Sequence, residues 1–308
     1  MKVLCAVDGS EFSNWAVEAL GTLFHQSLRE VVLLHVVDDV QLRQGMKKEG
    51  ASAAKVKKVI TAMNQDGKQL LKQAENHAAI AINQAHTKPF VAIRTVLTHG
   101  HVTNVVTKQA EKRKADLIVM GSRGLSNITG YLMGSVSRKV LTHAPCAVLT
   151  VKEPISEKPK VVLAVDGSNA SKRAVSAFHS WLAPILSDEA ISLNVLSVVP
   201  QFLTDIGPKL LSKSHAKSLM KPFQMRAKEV TAQYREFFLK EGYRVTADVK
   251  EGEPRKVILD QLESAKADLA VLGSKGLTGP ERFHMGSVSE WVAGYTSCST
   301  LVIRPRRT

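Results

Sequence analysis

The sequence predicts an α/β protein with two tandem, doubly wound, five-stranded parallel sheets. Three observations predict this fold class. The chain has 308 residues, which is too long for one ordinary core and suits two domains of about 150 residues each. Two separate stretches of the first half recur in the second half. Short apolar runs alternate with helical segments in each half, as in parallel sheets that helices cover on both faces.

The recurring stretches indicate duplication of a whole domain. Ala6–Ser10 reads Ala-Val-Asp-Gly-Ser and recurs as Ala164–Ser168. Lys114–Gly124 recurs as Lys266–Gly276, with 8 of 11 positions identical. Both copies keep the same order along the chain, so each half is expected to contain the same fold.

The segment between the two copies reads as a linker. Lys152–Pro159 contains two prolines and alternating charges. Such a segment continues neither a strand nor a helix. The domains are therefore expected at residues 1–152 and 159–308.

The elements of the first half are read from the spacing of its apolar residues. Runs of about four to eight β-branched or other apolar residues predict strands, and longer segments with apolar residues on one face predict helices. Ser10 is expected to cap the first helix, since serine hydroxyls accept hydrogen bonds from first-turn N–H groups. The elements are, in order, strand Lys2–Val7, helix Glu11–Ser27, strand Val31–Val37, a long helix over about Ala53–His86, strand Phe90–Leu97, helix Val102–Lys114, strand Asp116–Met120, helix Val136–His143 and strand Cys146–Val151.

The second half repeats this order of strands and helices. The same two patterns of apolar residues predict each element. The elements are strand Lys160–Val165, helix Ala170–Leu182, strand Ile191–Val199, a helix near Leu219–Lys240, strand Tyr243–Lys250, helix Pro254–Ala265, strand Leu269–Leu272, helix His284–Ala293 and strand Thr300–Ile303.

Composition narrows the class of protein. No run of about 18 apolar residues is present and no secretory signal precedes the first strand, so neither a membrane span nor export is expected. Cys5, Cys146 and Cys298 lie in or beside apolar runs without metal-type spacing. They are expected to be reduced core residues, which fits a cytoplasmic location.

The net charge of +14 is spread over both halves rather than gathered in a tail. Basic clusters such as Lys112-Arg113-Lys114 read as solvated helix faces. Aromatic residues make up only 5% of the chain, and none interleaves with these clusters. A nucleic-acid surface needs both features, so no nucleic-acid partner is expected.

Each half carries a carboxylate where its first strand ends. Asp8 and Asp166 both stand in Asp-Gly-Ser sequences at that position. Open parallel sheets bind ligands at the carboxyl ends of their strands, where the strand order reverses. A carboxylate there can hydrogen-bond a ribose or position a metal ion, or it can serve only as part of a turn and helix cap.

The fourth strand of each half leads into a glycine-spaced loop that precedes a helix. Glycine allows positive φ angles and close approach of backbone N–H groups to phosphate oxygens. The free N–H groups and dipole of a helix N-terminus favour an anion. Arg123 and Lys275 add positive charge beside the loops, or are solvated surface residues. The repeated residues are Gly121, Gly124, Gly134 and Ser135, with their copies Gly273, Gly276, Gly286 and Ser287.

These residues resemble those of the universal stress protein family. The resemblance rests on the Gly-x2-Gly-x9-Gly-Ser loop, the Ala-Asp-Leu-x-Val strand before it and the Val-Asp-Gly-Ser first strand, and it covers nearly the whole of both halves. It identifies a tandem member of the ATP-binding branch. It implies an adenine nucleotide alpha hydrolase-like fold with strand order 3-2-1-4-5 in each half. It also implies ATP, or ADP or AMP, as the ligand, with Mg²⁺ as a companion ion.

The resemblance also implies roles for single residues. Asp8 and Asp166 would lie near the ribose and adenine, and Val36 and Val198 would offer backbone atoms to the adenine. The ribose and phosphates would lie against Gly121, Gly124, Gly134, Ser135 and Val136 in the first half, and against Gly273, Gly276, Gly286, Ser287 and Val288 in the second. Family domains commonly pair through their last strands, either within one tandem chain or in a homodimer of tandem chains.

The second half departs from the first at two places. The second strand of the first half ends in His35-Val-Val-Asp38, whereas that of the second half ends in Ser197-Val-Val-Pro200. Pro280, Glu281 and Arg282 place an acid and a base in the second loop. Nucleotide occupancy is therefore expected to be more secure in the first half than in the second.

Three functional classes remain open. The protein is a binding module that signals to a protein partner under stress, a slow ATP hydrolase, or a scaffold with one degenerate nucleotide site. The residues offer no P-loop and no nucleophile elbow. No catalytic residue is assigned, and His284 is only a conceivable one. His99 and His101 could hold a metal ion, but no third ligand is identifiable, so no metal site is assigned.

Overall fold

The computed structural model describes residues 1–48, 52–83, 91–124, 133–182, 192–201, 213–276 and 285–306. The chain divides into two compact units. One contains Met1–Ile155 together with the C-terminal residues from Pro305, and the other contains Ser156–Arg304. Each unit is built around its own five-stranded parallel sheet.

The first unit contains five strands and, within the described ranges, five helices. In its sheet the strand order is β3-β2-β1-β4-β5, which confirms the predicted 3-2-1-4-5 order. All four neighbouring pairs are parallel. The elements are β1 (Lys2–Ala6), α1 (Glu11–Phe24), β2 (Glu30–Val37), α2 (Val40–Lys48), α3 (Ala53–Asn83), β3 (Ala92–His99), α4 (Val102–Lys112), β4 (Leu117–Gly121), α5 (Ser135–His143) and β5 (Ala147–Val151).

The second unit repeats this arrangement. Its strands follow the order β8-β7-β6-β9-β10, which is again 3-2-1-4-5 when the strands are counted within that unit. All four neighbouring pairs are again parallel. The described elements are β6 (Lys160–Ala164), α6 (Asn169–Leu182), β7 (Ser192–Val199), α7 (Lys213–Lys240), β8 (Arg244–Glu251), α8 (Pro254–Ser264), β9 (Leu269–Gly273), α9 (Ser287–Tyr295) and β10 (Ser299–Ile303).

The central strands form the core of each unit. Every residue of β4, β5 and β10 is buried, as expected for parallel strands with helices on both faces. In the first unit α1 packs against α3, and α4 packs against α5. The right-handed crossovers of a doubly wound sheet put these two pairs on opposite faces. The carboxyl ends of β1 and β4 are neighbours, since Ala6 pairs with Met120.

One helix was missed by the sequence reading. The segment between the second strand and the long helix forms α2, which begins directly after Asp39. Asp39 accepts hydrogen bonds from the Arg43 side chain (Nε to Oδ2, 2.8 Å) and from the Arg43 backbone N–H to its carbonyl. The helix has only nine residues, is polar on average and contains Gly45, so its sequence pattern alone does not predict it.

The ends of the other elements differ from prediction by a few residues. The predicted continuation of the long helix to His86 and the predicted strand start at Phe90 lie outside the described residues, as do Ile191 and His284. The helix α7 begins at Lys213 and keeps Pro222 inside it, although proline removes one helical hydrogen bond.

The three cysteines are buried as free thiols, as predicted for core residues. Burial raises the pKa of the Cys5 thiol to about 12. Among the helices of the described ranges, none has both the length and the apolar character that a membrane crossing requires.

Candidate functional site

The turn after β1 holds the first predicted site residue in a fixed orientation. The Asp8 carboxylate accepts hydrogen bonds from the Ser10 backbone N–H (3.0 Å) and the Ser10 hydroxyl (2.6 Å). The Ser10 hydroxyl in turn accepts from the Ser13 N–H at 3.2 Å, as predicted for the cap of α1. Gly9 between them has φ +80°, a conformation that favours glycine. Both hydrogen bonds that Ser10 donates reach Oδ1 of Asp8.

The end of β4 passes very close to this turn. A Cβ atom added to Gly124 would lie 2.5 Å from Oδ2 of Asp8. A Cβ atom added to Gly121 would lie 2.7 Å from the Cβ of Phe12 in α1. Two of the predicted loop glycines are therefore required because other parts of the site lie against their backbone.

The structure gives these glycines a reason that the sequence reading did not anticipate. The sequence suggested positive φ angles and close approach of backbone N–H groups to phosphate oxygens. Within the described parts of the chain, positive φ occurs at other glycines, including Gly9 and Gly167, but not at Gly121, Gly124 or Gly134. Close packing alone accounts for glycine at Gly121 and Gly124, because any side chain would displace Phe12 or Asp8.

The start of α5 faces the same region. Gly134 is its N-cap residue and provides no side-chain cap. Its backbone N–H donates to the Ser122 carbonyl at 2.7 Å, and the Ser137 hydroxyl donates to the Gly121 carbonyl at 2.9 Å. These bonds fix the helix start against the end of β4. A helix start without a side-chain cap favours a negatively charged group.

These elements enclose a cavity of about 810 Å³. It lies at the carboxyl ends of β1, β2 and β4, where the strand order reverses. All eight residues that the sequence assigned to the first site line it. They are Asp8, Val36, Gly121, Arg123, Gly124, Gly134, Ser135 and Val136.

The cavity is also lined by residues that the sequence reading had not assigned to the site. Their sequence positions gave only weak signals, because whether a side chain reaches the cavity depends on how its helix or strand is rotated. His35 and Asp38 were noted only as a typical strand ending. The additional lining residues include His35, Asp38, Val102, Val106, Met120, Met133, Arg138 and Lys139.

The His35 ring is held by the neighbouring strand. Its Nδ1 forms a 2.8 Å hydrogen bond with the Val7 carbonyl. A Cβ atom added to Gly67 in α3 would lie 2.8 Å from the His35 ring. The absence of a side chain at Gly67 therefore lets α3 lie directly against His35.

The two histidines considered for metal binding each approach a different carboxylate. His99 Nδ1 lies 3.0 Å from Asp39 Oδ2, and His101 Nδ1 lies 3.8 Å from Asp38 Oδ1. In the part of the chain that the structure describes, no group of three or more His, Cys, Asp or Glu side chains is placed to hold a metal ion.

Asp39 is a buried carboxylate that is paired with two partly exposed basic side chains, Arg43 and His99. Its burial alone would raise the pKa of the carboxyl group. Hydrogen bonds from Arg43 and His99 outweigh that effect and hold the pKa of Asp39 below its ordinary value of 3.8. The carboxylate therefore remains charged and links the start of α2 to the end of β3.

The second unit repeats the backbone contacts at the two described ends of the loop. Asp166 accepts from the Ser168 N–H at 2.9 Å, and a Cβ atom on Gly276 would lie 3.0 Å from Asp166 Oδ2. A Cβ atom on Gly273 would lie 2.8 Å from the carbonyl carbon of Ala170. The Gly286 N–H donates to the Ser274 carbonyl at 2.6 Å. Among the other assigned residues, Val198 lies near the end of β7, Lys275 lies two residues after β9, and Ser287 and Val288 lie in the first turn of α9.

The surroundings of Asp166 differ from those of Asp8. Burial, together with the nearby charge of Asp166, raises the pKa of Tyr234 in α7. The Arg226 side chain lies near the turn at Gly167, 3.4 Å from the place of an added Cβ atom. The other distinctive residues of the second loop, Pro280, Glu281, Arg282 and His284, lie outside the described residues.

Comparison with known proteins identifies relatives of this chain. The sequence model of the Universal stress protein family matches residues 1–152 and again residues 159–304. A universal stress protein from Mycolicibacterium smegmatis is 24% identical over an alignment of 310 positions, which covers 99% of this chain and 97% of that protein. The crystal structure of a universal stress protein from Archaeoglobus fulgidus has a TM-score of 0.68 at 21% identity and covers 99% of this chain and 96% of that one.

A third relative matches one half only. It is a universal stress protein family protein from Arabidopsis thaliana, solved with AMP bound. It is 18% identical, with a TM-score of 0.36, and covers 47% of this chain and 91% of that one. The bound AMP is a property of that protein.

Proposed function

Because the chain belongs to the universal stress protein family, with one family domain in each half, we propose that each half binds an adenine nucleotide and that the protein acts as a nucleotide-dependent regulatory module. The observation that carries this proposal is the first cavity. Eight residues assigned from the sequence, separated by up to 128 positions, line a single space of about 810 Å³. Pockets for small ligands and cofactors have volumes of about 300–1,000 Å³.

The phosphate end of the ligand would lie at the start of α5. Gly134 and Ser135 offer backbone N–H groups and a hydroxyl there, and the helix dipole adds to the attraction. Arg123 lines the same end of the cavity and supplies a positive charge. Gly121 and Gly124 keep the β4 backbone free of side chains that would fill the space.

The nucleoside end would lie against the ends of β1 and β2. Val36 offers backbone groups for the adenine edge, and Val102 and Val106 of α4 supply apolar wall for the base. The Oδ2 atom of Asp8 lies beside the backbone of Gly124, while its Oδ1 atom is held by Ser10. A carboxylate held in this way suits a ribose hydroxyl.

A magnesium ion would accompany the phosphates in this proposal. Magnesium usually takes one or two carboxylates and completes its shell with phosphate oxygens and water. Its ligands here would be mainly phosphate oxygens and water, because Asp8 is placed at the ribose. When bound, the ion would neutralise part of the phosphate charge.

In this proposal the ligand is held as a signal rather than consumed rapidly. Nucleotide occupancy would change the charge and shape at the end of β4 and the start of α5, and so change the surface presented to a protein partner in the cytoplasm. A phosphate-release assay checks this part of the proposal. Release from the full chain should not exceed that of a Gly134→Val and Gly286→Val double variant.

The binding proposal is tested by calorimetric titration of the nucleotide-free full chain with ATP and Mg²⁺. Gly134→Val should abolish one site and Gly286→Val the other, because the added side chains start 3.3 Å and 3.1 Å from backbone carbonyl oxygens. Gly45→Val serves as the control, since a Cβ atom added at Gly45 would meet nothing within 4 Å. Unchanged stoichiometry in both loop variants, with unchanged melting temperatures, would refute the proposal.

A further inference from the structure

Helix α7 exposes several large apolar side chains to solvent. Leu219, Phe223 and Met225 in its first half are exposed by 49%, 45% and 61%. Phe237 and Leu239 follow near its end, so five of the eight exposed large apolar side chains in the described ranges belong to this one helix. Single exposed apolar residues are ordinary on a protein surface, whereas a group of them on one element is typical of an interaction surface.

The exposed residues of the first half of α7 are neighbours. Residues three or four positions apart lie side by side on a helix surface. Leu219 is therefore beside Pro222 and Phe223, and Pro222 is beside Met225. Pro222 is exposed as well. These four residues form one continuous apolar surface, which is called the α7 patch below.

Basic side chains surround the α7 patch. Residues 213–228 include five lysines and arginines and no aspartate or glutamate. Of the basic residues, Lys221, Arg226 and Lys228 are exposed next to the patch. Glu251 at the end of β8 hydrogen-bonds to this segment and offsets one of the charges. The surface is therefore both apolar and positively charged.

The long helix of the first unit provides a matched comparison. A Cβ atom added to Gly9 would lie 3.0 Å from a side-chain carbon of Leu70 in α3. A Cβ atom added to Gly167 would lie 3.0 Å from a side-chain carbon of Val230 in α7. Gly9 and Gly167 are equivalent residues of the repeat, so these contacts align Leu70 with Val230.

The aligned positions of α3 lack the character of the α7 patch. Three uncharged or acidic residues of α3 stand where α7 has basic or apolar ones. The pairs are Thr61 and Lys221, Gln65 and Met225, and Asp66 and Arg226. The two units share one fold, so the fold itself does not require an apolar and basic surface at this place.

The opposite face of α7 limits what can cover the patch. Met220 and Ala227 are buried there and pack with Val199 of β7. A groove that encloses an amphipathic helix, as many peptide-binding proteins have, would need that inner face and would have to pull α7 off its sheet. The binding partner must therefore contact α7 from one side, with a broad and open surface.

The positive charge narrows the choice further. A second copy of this chain is a poor match, because pairing of the same face would oppose like charges. A bilayer surface with anionic lipids offers negative head groups to lysine and arginine and an apolar boundary to leucine, phenylalanine and methionine. Lysine and arginine can lay their stems along that boundary and keep their charges at the head groups.

We propose that the α7 patch and the basic residues around it bind the tandem chain to the surface of a membrane that contains anionic lipids. The helix lies in the plane of the interface, with the patch directed toward the acyl chains. This binding does not depend on the proposed nucleotide binding. It would bring the two nucleotide-binding units to a membrane surface.

Co-sedimentation of the full chain with lipid vesicles tests the proposal. Vesicles of phosphatidylcholine and phosphatidylserine in equal parts are compared with vesicles of phosphatidylcholine alone. Binding to the mixed vesicles is expected to be at least about tenfold tighter, because the anionic surface attracts each nearby lysine and arginine. Added salt should weaken it, because salt screens this attraction.

Paired variants assign the binding to α7. Lys221→Glu with Lys228→Glu should weaken binding to the mixed vesicles by about tenfold or more. Lys68→Glu with Lys72→Glu makes the same change of charge at exposed positions of α3 and should weaken it by less than about threefold.

The apolar contribution is tested without a change of charge. Leu219→Ser with Met225→Gln should weaken binding to the mixed vesicles by about tenfold, since less apolar surface leaves water. All the substituted side chains are exposed, and circular dichroism checks that each variant is folded.

A fluorescent label shows whether the patch itself enters the interface. The three native cysteines are buried, so an introduced exposed cysteine can be labelled selectively. A polarity-sensitive dye on Met225→Cys should shift its emission to shorter wavelength when mixed vesicles are added. The same dye on Gln65→Cys, the aligned exposed position of α3, should not shift.

Three results would overturn the proposal. The first is no binding to mixed vesicles, or equal losses in the α7 and α3 charge variants. The second is self-association of the full chain that Leu219→Ser with Met225→Gln abolishes, because a second copy would then cover the patch. The third is binding to soluble poly-glutamate that is as tight as binding to mixed vesicles, which would indicate an acidic protein as the partner.

Discussion

At the scale of single residues, the closest approach in the first site is that of Gly124 to Asp8. No side chain fits at Gly124 without moving the carboxylate, because an added Cβ atom would lie 2.5 Å from Oδ2. The other oxygen of Asp8 is already held by Ser10. The position of the carboxylate therefore depends on glycine at a residue more than a hundred positions away in the chain.

We expect Gly124→Ala to weaken ATP binding at the first site by about tenfold or more, which corresponds to about 1.4 kcal/mol. The physical reason is displacement of the Asp8 carboxylate. Calorimetric titration of the full chain measures the effect. Gly294→Ala is the matched control, since its added methyl group would meet nothing within 4 Å. Equal affinity in the two variants would contradict this role for Gly124.

Asp39 gives a prediction about pH. Hydrogen bonds from Arg43 and His99 lower its pKa in the folded protein below the ordinary value of 3.8. A lowered folded-state pKa means that the charged form stabilises the fold above pH about 4, and that this contribution is lost as the pH falls through the folded-state pKa. Removing the charge of Asp39 should therefore lower the free energy of unfolding at neutral pH and have little effect on it in strong acid.

We expect Asp39→Asn to lower the free energy of unfolding by about 2 kcal/mol at pH 7, the size typical of hydrogen bonds to a charged group. The difference from the unsubstituted protein should shrink as the pH is lowered below 3.8. Urea unfolding at several pH values between 7 and 3 measures it. A difference that stays constant over this range would show that the charge of Asp39 contributes nothing.

At the scale of elements, the contact between the first helix and the long helix differs between the two units. These helices are α1 and α3 in the first unit and α6 and α7 in the second. In the first unit, a Cβ atom on Gly21 of α1 would lie 2.0 Å from the Ala81 carbonyl oxygen of α3, so the two backbones nearly touch. The corresponding position of the second unit is His179. There α6 packs on α7 through aromatic rings, with Phe178 and Phe238 centred 5.7 Å apart.

Gly21→Ala should therefore destabilise the first unit by about 3 kcal/mol, because the helices must separate to admit the methyl group. Thermal unfolding followed by circular dichroism measures the loss. Gly45→Ala in the exposed helix α2 should instead be neutral or stabilise by up to about 1 kcal/mol, since alanine is the better helix former. Similar stability of the two variants would contradict the close contact of α1 with α3.

The strands and most helices could be predicted from sequence because each follows from a local pattern. The strand β4 is apolar and buried along its whole length, so its run of apolar residues is sufficient. The helix α2 could not be predicted, because it depends on Asp39 meeting Arg43 and His99, and His99 is 60 positions distant.

Part of the candidate site could also be predicted from the sequence. Its glycines and Asp8 recur in both halves, and this repetition indicated that they belong to a site. His35, Arg138 and Lys139 line the cavity because of the way their elements are oriented around it. That orientation is set by tertiary packing, such as the contact of Gly67 with the His35 ring. It cannot be read from the spacing of residues in the sequence.

At the scale of the whole molecule, the two duplicated halves share one backbone arrangement but differ in the charges of their side chains. Both units have parallel sheets of the same strand order and the same hydrogen bond from a glycine at the helix start. The residues that follow Ser137 and Ser289 differ in charge, with Arg138 in one unit and Glu290 in the other.

The most direct test of nucleotide binding is to denature freshly purified full-length protein and identify the released small molecules by mass spectrometry. The number of moles released per mole of chain should be measured in the same experiment, before and after incubation with ATP, AMP and Mg²⁺. We expect two adenine nucleotides per chain after incubation, one for each half. Release of none, from a protein whose circular dichroism shows it to be folded, would contradict the account.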